Sequence, residues 1–467
     1  MSKNFLFDEF SPVSSKQWKQ KIQYDLKGAD YNETLVWESP EGIKVKPFYH
    51  SDDAFESYEI SSGSSSWAVG QSIYAGNAIM ANEKAIKATQ RGVEKLSFQI
   101  PSQEIKINEL LKNIDLKENS IYLEMEFLSE KYLQSILDFA GNLKEKIHFN
   151  LDVVGHLART GNWFQSLEKD FATVQNMLEA KPQCMLSVDV SLYQNAGADM
   201  AQQLAYALAH ANEYLNDFAR DEKLAQPLEG RSISISFKVA VGTNYFFEIA
   251  KLRALRLLWK TLASEYGIFT ECHIIATPTK RNKTVYDYNT NMLRTTTECM
   301  AAALGGANTI LNLPYDAIYH KDNEFGERIA VNQLLLLKNE SYFDKVENPA
   351  DGAYYIESIT NQLAEKALIL FKSIESGGGF LKQMKAHTIQ RKIQESAQKE
   401  QAKFNSGEDV LVGTNKYQNE NDKMKNEIEL YPFLKINARK TLIQPILEKR
   451  LAEELEQKRL DDEKFND

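Results

Sequence analysis

The chain is 467 residues long, 43% hydrophobic, and carries a formal net charge of −10. That length holds one large domain with extensions, or two to three ordinary domains. The charge argues against nucleic acid as the main partner, and no apolar run reaches the roughly 18–20 residues a membrane helix needs. The opening MSKNFLFDEFSPVSSKQWKQ lacks an apolar core and a small-residue cleavage site, so a cytoplasmic protein is expected. Three cysteines, Cys184, Cys272 and Cys299, stand far apart and make no CxxC; buried or free thiols are the expectation.

Residues 1–66 differ in pattern from the rest of the chain. Aromatics are scattered through them (Phe5, Phe7, Phe10, Trp18, Tyr24, Tyr31, Trp37), with a short alternating stretch from Gly42 to Phe48. An arm this aromatic is expected to lie on a surface, its own or a partner's; an ordinary N-terminal subdomain is the alternative. The run SSGSSS at 61–66 reads as a joint.

From Trp67 a regular period begins. Candidate strands fall at 67–73, 95–100, 121–126, 147–153, 184–190, 232–240, 273–277 and 308–313. Helical stretches lie between and after them, at about 79–91, 104–112, 129–145, 161–179, 196–219, 245–263, 288–304 and 323–340. The clearest unit is residues 231–263, where a β-branched strand, a Gly242–Asn244 turn and a long apolar helix follow one another. Eight such units across 67–345 predict an α/β fold of the closed (β/α)₈ barrel type rather than an open doubly wound sheet. No glycine-rich phosphate fingerprint follows any strand, which disfavours a dinucleotide fold. Residues 346–467 read as a helical C-terminal extension, ending in a charged helix over 444–467, and no further α/β domain is expected there.

In such a barrel the active groups sit on the loops that follow the strands. After the fourth strand, VVGHLARTGNW places His156 and Arg159 where an acid/base and an anion binder can stand; a structural histidine and a surface arginine are the plainer reading. After the fifth, SLYQNAGAD supplies Ser191, Tyr193, Gln194 and Asn195 without a nearby basic partner. After the seventh, Lys280, Arg281 and Lys283 can grip phosphate or form a solvated basic loop. After the eighth, Asp316 reads as a helix cap rather than a base. The seven histidines form no HxxxH or HxH, and no GxSxG elbow occurs. No metal site is expected.

Several long motifs carry a resemblance. AVGTNYFFEIAKLRALRLLWK (240–260), NTNMLRTTTECMAAALGGAN (289–308), ERIAVNQLLLLKNES (327–341), NPADGAYYIESITNQLAEKA (348–367), VGTNKYQNE (412–420) and TLVWESPEGIKVKPFY (34–49) resemble the methylmalonyl-CoA mutase family, over nearly the whole chain and in order. The resemblance implies a barrel surrounding an acyl-CoA, joined to a cobalamin-binding domain, and the adenosylcobalamin-dependent interconversion of methylmalonyl-CoA and succinyl-CoA.

The chain departs from the family where substrate is contacted. Ser191 and Leu192 stand in place of the family's Tyr-His pair before QNAGA. Gly70, Gln71 and Ser72 replace Arg-Gln-Tyr, so only Gln71 survives. His273 and Thr277 stand where arginine and glutamine belong, and Asn308 and Leu311 replace a glutamine and a histidine. No cobalamin-binding domain with its DxHxxG loop is recognised. The resemblance therefore implies a structural subunit without catalytic residues of its own. It would form a heterodimer with a large subunit that binds adenosylcobalamin and substrate, holding no cofactor itself. Gln71, Lys280, Arg281 and Lys283 are its candidate substrate-binding residues. Two alternatives stand beside this. One is an acyl-CoA mutase barrel served by a cobalamin domain on a separate chain; the other is an acyl-CoA-binding accessory protein.

Overall fold

The computed structural model describes residues 9–53, 60, 64–179, 186–220, 234–267, 271–436 and 438–465. Eight strands form one sheet: β1 Ala68–Tyr74, β2 Lys95–Ile100, β3 Ser120–Met125, β4 Ile147–Phe149, β5 Leu186–Asp189, β6 Ile235–Val241, β7 His273–Pro278 and β8 Thr309–Leu311. Their order is β4-β3-β2-β1-β8-β7-β6-β5, every pair parallel. The sheet closes between β4 and β5 through a single bridge, Leu151 to Leu186, with Ser187 N donating to Leu151 O at 2.9 Å. This is the (β/α)₈ barrel that the sequence period predicts. The start of the fifth expected strand, with Cys184, and the first two residues of the sixth lie outside the described residues.

The unit built on β6 shows why these residues fold as they do. ISFKVAV is β-branched and almost wholly buried, as expected of a strand covered on both faces. The helix Tyr245–Glu265 comes next, with thirteen of its 21 residues buried, four of them charged. Buried charges need partners, and each has one. Lys251 meets Glu248 at 2.6 Å, Arg253 meets Glu357 at 2.7 Å, and Arg256 donates to Cys272 O and Asn308 Oδ1, both at 2.7 Å. The helix is covered on its outer side by the helix Tyr354–Ser376 of the C-terminal extension. Trp259 anchors it, stacked edge-on against Phe237 of β6 at 5.1 Å.

The N-terminal arm lies on this same layer. Its short antiparallel ribbon pairs Trp37–Glu38 with Lys44–Val45; Trp37 meets Phe247 at 5.7 Å, and Tyr49 meets Tyr355 at 5.3 Å. The helix Ser15–Asp25 ahead of it buries no residue. Phe5, Phe7 and the first half of the expected joint lie outside the described residues. Among those described, no helix is long and apolar enough to cross a membrane.

Two segments differ from expectation. The fourth strand stops at Phe149, and Val153–Thr160 forms a helix, because the Asp152 carboxylate caps it by accepting from Gly155 N at 2.7 Å. The C-terminal helix begins at Glu453, not 444. Pro445 has no amide hydrogen to give a helix. The amides of Leu442, Ile443, Ile446, Lys449 and Leu451 donate instead to carbonyls of Gly161, Ala158, Asn195 and Arg281 on the barrel loops. The segment 439–451 is therefore an irregular strap across the C-terminal end of the barrel. In the rest of the extension, helices do form at Tyr354–Ser376, Phe380–Lys385 and Thr388–Ser406.

Truncating Trp259, 1% exposed, would leave a cavity between β6 and its helix. Trp259→Ala is expected to cost about 3–5 kcal/mol, read as a lower urea midpoint with an unchanged slope.

Candidate functional site at the barrel mouth

The strand C-termini open into a cavity of about 710 Å³, within the usual size of small-molecule sites. Its inner end is formed by Leu311 of β8 and by an ion pair between β3 and β6, Glu124 to Lys238 at 2.7 Å. Burial alone would lower the Lys238 pKa, but Glu124 and, after it, Asp189 outweigh that and hold it above its ordinary value. Deeper still, Tyr122 fills the lumen with Ile275 and Leu311. Its hydroxyl lies 2.9 Å from both His273 Nε2 and Thr309 Oγ1. β3 is adjacent to neither β6, β7 nor β8, so both connections cross the lumen.

The mouth is organised by Asp152. Its carboxylate accepts from Gly155 N at 2.7 Å, Tyr214 Oη at 2.8 Å and Asp189 N at 3.0 Å, and His210 Nε2 lies 2.8 Å away. Tyr193 Oη lies 2.8 Å from the other ring nitrogen of His210. Burial acts to raise the Asp152 pKa; His210 and the amide donors outweigh it, so the group sits below its ordinary value. A hydroxyl, an imidazole and a carboxylate thus stand in a row. Tyr193 and His210 are both fully buried, so the row ties elements together and offers no nucleophile to the cavity.

Helix Val153–Thr160 carries His156 and Arg159 to the cavity wall. His156 is stacked on Phe164 at 3.6 Å, and burial pushes its pKa down to about 4, so the ring is neutral near pH 7. Arg159 pairs with Asp189 at 2.6 Å and with Glu448 of the strap at 3.1 Å. Of the basic loop, Lys280 lines the cavity. Arg281 is turned away, donating to Glu400 at 2.5 Å and Lys449 O at 2.6 Å. Lys283 is buried against Glu298 at 2.7 Å. Gln71 lines the cavity. Asp316 does not cap the following helix; Asn323 does, and Asp316 holds Asn323 Nδ2 at 2.7 Å. Cys272 and Cys299 are buried free thiols, the former pushed by burial up to about 12. Among the described residues no cluster of ligands could hold a metal.

The methylmalonyl-CoA mutase family model matches residues 100–461. The chain is 34% identical over 451 residues to the methylmalonyl-CoA mutase small subunit of Porphyromonas gingivalis, covering 89% of this chain and 72% of that protein. It belongs to the methylmalonyl-CoA mutase family. It is also 31% identical to the methylmalonyl-CoA mutase of Rhizobium meliloti, covering 87% of this chain but 64% of that protein, and 27% identical to the small subunit of Streptomyces virginiae, covering 88% and 71%.

Of the positions that the sequence reading takes as departures from the mutase family, Gly70, Ser72, Ser191, Thr277 and Leu311 line this cavity, as does Gln71, although they come from several different strands and loops. Leu192 is fully buried behind Ser191 and does not line it. His273 stands deeper, bonded to Tyr122, and Asn308 holds Arg256 outside the lumen. Sequence reasoning missed Asp152, Asp189, Glu124, Lys238 and Glu448. Asp152, Asp189 and Glu124 sit at or beside strand ends, where a search for charged residues would have found them; Lys238 lies in the middle of β6.

Asp152 predicts a pH dependence. Its folded pKa is depressed, so its stabilisation is complete above the unfolded value near 4 and is lost as pH falls through the folded value. Asp152→Asn is expected to lose about 3 kcal/mol at pH 7. Its loss of stability between pH 5 and 2 is expected to be shallower than that of the wild type. Chemical denaturation across that range checks both.

Proposed function

We propose that the chain is a structural, non-catalytic subunit of a heterodimeric methylmalonyl-CoA mutase. It supports the interconversion of methylmalonyl-CoA and succinyl-CoA by pairing with a large subunit that carries adenosylcobalamin and the substrate. The observation that carries this reading is the filled lumen. A barrel that surrounds an acyl-CoA needs an open axis, and this one is crossed by Glu124–Lys238 and again by Tyr122 against His273 and Thr309.

Two further observations support it. The cations that line the cavity are already engaged: Lys238 by Glu124, Arg159 by Asp189 and Glu448, with Lys280 acting on Glu448. Gln71 and Lys280 are the lining residues left as candidates for contact with an acyl-CoA, with Arg281 and Lys283 held in other pairs. A buried leucine at position 192 has no hydrogen bond to give a substrate carbonyl, and in most active sites polar groups aimed at developing charge contribute more to catalysis than any other device. Adenosylcobalamin supplies the radical chemistry in this family. His156, the histidine nearest the mouth, is committed to its stack on Phe164 within a helix and does not fit a cobalt ligand on a free loop. The cofactor is therefore assigned to the partner, and the exposed aromatics of the arm, Trp18 and Tyr24, are suited to contact it.

Purified chain, given adenosylcobalamin and methylmalonyl-CoA, is expected to show no turnover. Co-expressed with the large subunit of the same organism, it is expected to co-purify as a heterodimer with mutase activity. Turnover by the chain alone would refute the non-catalytic assignment. Turnover only on adding a separate cobalamin-domain protein would favour a split mutase instead.

A further inference from the structure

We propose that the barrel mouth holds a subsite for a small carboxylate, formed by Arg159, Lys280 and Asn195, which the chain fills with its own Glu448. The strap 439–451 is then a displaceable cover over the cavity. This inference does not rest on the partner reading.

The charges are locally balanced. Arg159 and Lys280 face Asp189 and Glu448. Asp189 is fixed from within the barrel, since its amide donates to Asp152 and its carboxylate accepts from Ser191 N at 3.1 Å. Glu448 is the member brought from outside. Arg159 Nη1 donates to it at 3.1 Å, and Asn195, which lines the same cavity, favours its charged form. Burial acts to raise its pKa, but Lys280, Arg159 and Asn195 together hold it below the ordinary value. Removing this one carboxylate leaves two cations against one fixed acid, a vacancy for a single carboxylate. Of the other acids that line the cavity, Glu124 holds Lys238, Asp152 is filled by the donors named above, Asp322 and Glu327 both bond Lys84 at 3.1 Å, and Glu126 is exposed.

The cover is irregular and is held at both ends, with the amides of Ile446 and Lys449 donating to Ala158 O and Asn195 O between them. At one end, the amides of Leu442 and Ile443 donate to Gly161 O at 2.9 and 3.1 Å. Gly161 has φ +81°, and a Cβ there would meet Ile443 O at 2.7 Å and Thr441 Cβ at 2.8 Å; only glycine lets the strap seat. At the other end, Arg450 is buried, bonding Glu456 at 2.7 Å and Lys283 O at 2.9 Å. Along the strap, Ile443 and Ile446 are buried while Leu442 and Leu447 are exposed.

The test is chemical rescue. Thermal unfolding of Glu448→Ala is followed in acetate and in chloride at equal ionic strength, beside the wild type and Arg159→Met/Glu448→Ala. Acetate is expected to raise the Tm of Glu448→Ala above its value in chloride, while the wild type and the double variant show no such difference. Equal melting of Glu448→Ala in both salts, or an equal acetate response in the double variant or the wild type, would overturn the subsite. Hydrogen exchange tests the cover, using Glu448→Gln to keep the shape of the side chain. The amides of Ile443, Ile446 and Lys449 are expected to exchange roughly tenfold faster than in the wild type, as for the loss of one charged hydrogen bond. Unchanged exchange would mean that the strap is a permanent wall.

Discussion

The structure depends on one carboxylate at the weakest seam of its barrel. β4 and β5 share a single bridge, at Leu151 and Leu186, where their neighbours share registers of two to six residues. Asp152 lies just past that bridge and spans the seam with its side chain. It holds the β5 end through Asp189 N, starts the next helix through Gly155 N, and draws in His210 and Tyr214 from the helix Met200–Arg220. A buried carboxylate is stable only with such a set of donors, so each element that supplies one is fixed relative to the others. Arg159 reaches the mouth because it lies two turns along the helix that Asp152 caps. His210 in turn stacks on Phe380 at 5.6 Å, so the seam also positions the C-terminal extension.

A second set of buried charges explains which sequence motifs the chain keeps. Arg253, from the helix after β6, meets Asp351 and Glu357 of the NPADGAYYIESIT motif. Arg256, one turn further, donates to Gly306 O at 2.5 Å at the end of the NTNMLRTTTECMAAALGGAN motif. Glu298 in that motif holds Lys283, and Arg450 with Glu456 brings the last helix onto the same loop. The motifs that make the family recognisable are thus largely those that bind barrel and extension to one another. Such pairs contribute little net stability over apolar substitutes, yet breaking one leaves a charge stranded. That asymmetry holds them in place whether or not the barrel has catalytic work to do.

The barrel was legible in the sequence because its signal is local. Apolar strands and amphipathic helices recur at short intervals, and all eight expected strands overlap observed ones. What was hidden depends on partners distant in sequence. Lys283 and Arg281 read as a basic loop because Glu298 and Glu400 lie 15 and 119 residues away. The strap read as helix because LEKRLAEELEQKRL is rich in helix formers; barrel carbonyls claimed its first amides. Gly70, Ser72, Ser191, Thr277 and Leu311 could be read in the sequence only as separate departures from the resemblance. That they surround one cavity could not be read there, since only the closed sheet brings these strand ends together.

The two lumen-crossing contacts connect this architecture to the proposed role. A barrel of eight strands has an interior just wide enough for side chains to fill. Whether it is a packed core or a ligand sleeve therefore turns on a few inward residues. Here Tyr122 spans from β3 to β7 and β8, and Glu124, two residues on and on the same face, spans to Lys238 of β6. Each replaces space with a contact, and each is satisfied by a partner on a strand that is not its neighbour. The filling braces the barrel across its diameter, where a sleeve would need its ligand to do so. A chain with this interior keeps its shape with nothing in the lumen, and that is the property a rigid structural partner to a catalytic barrel requires.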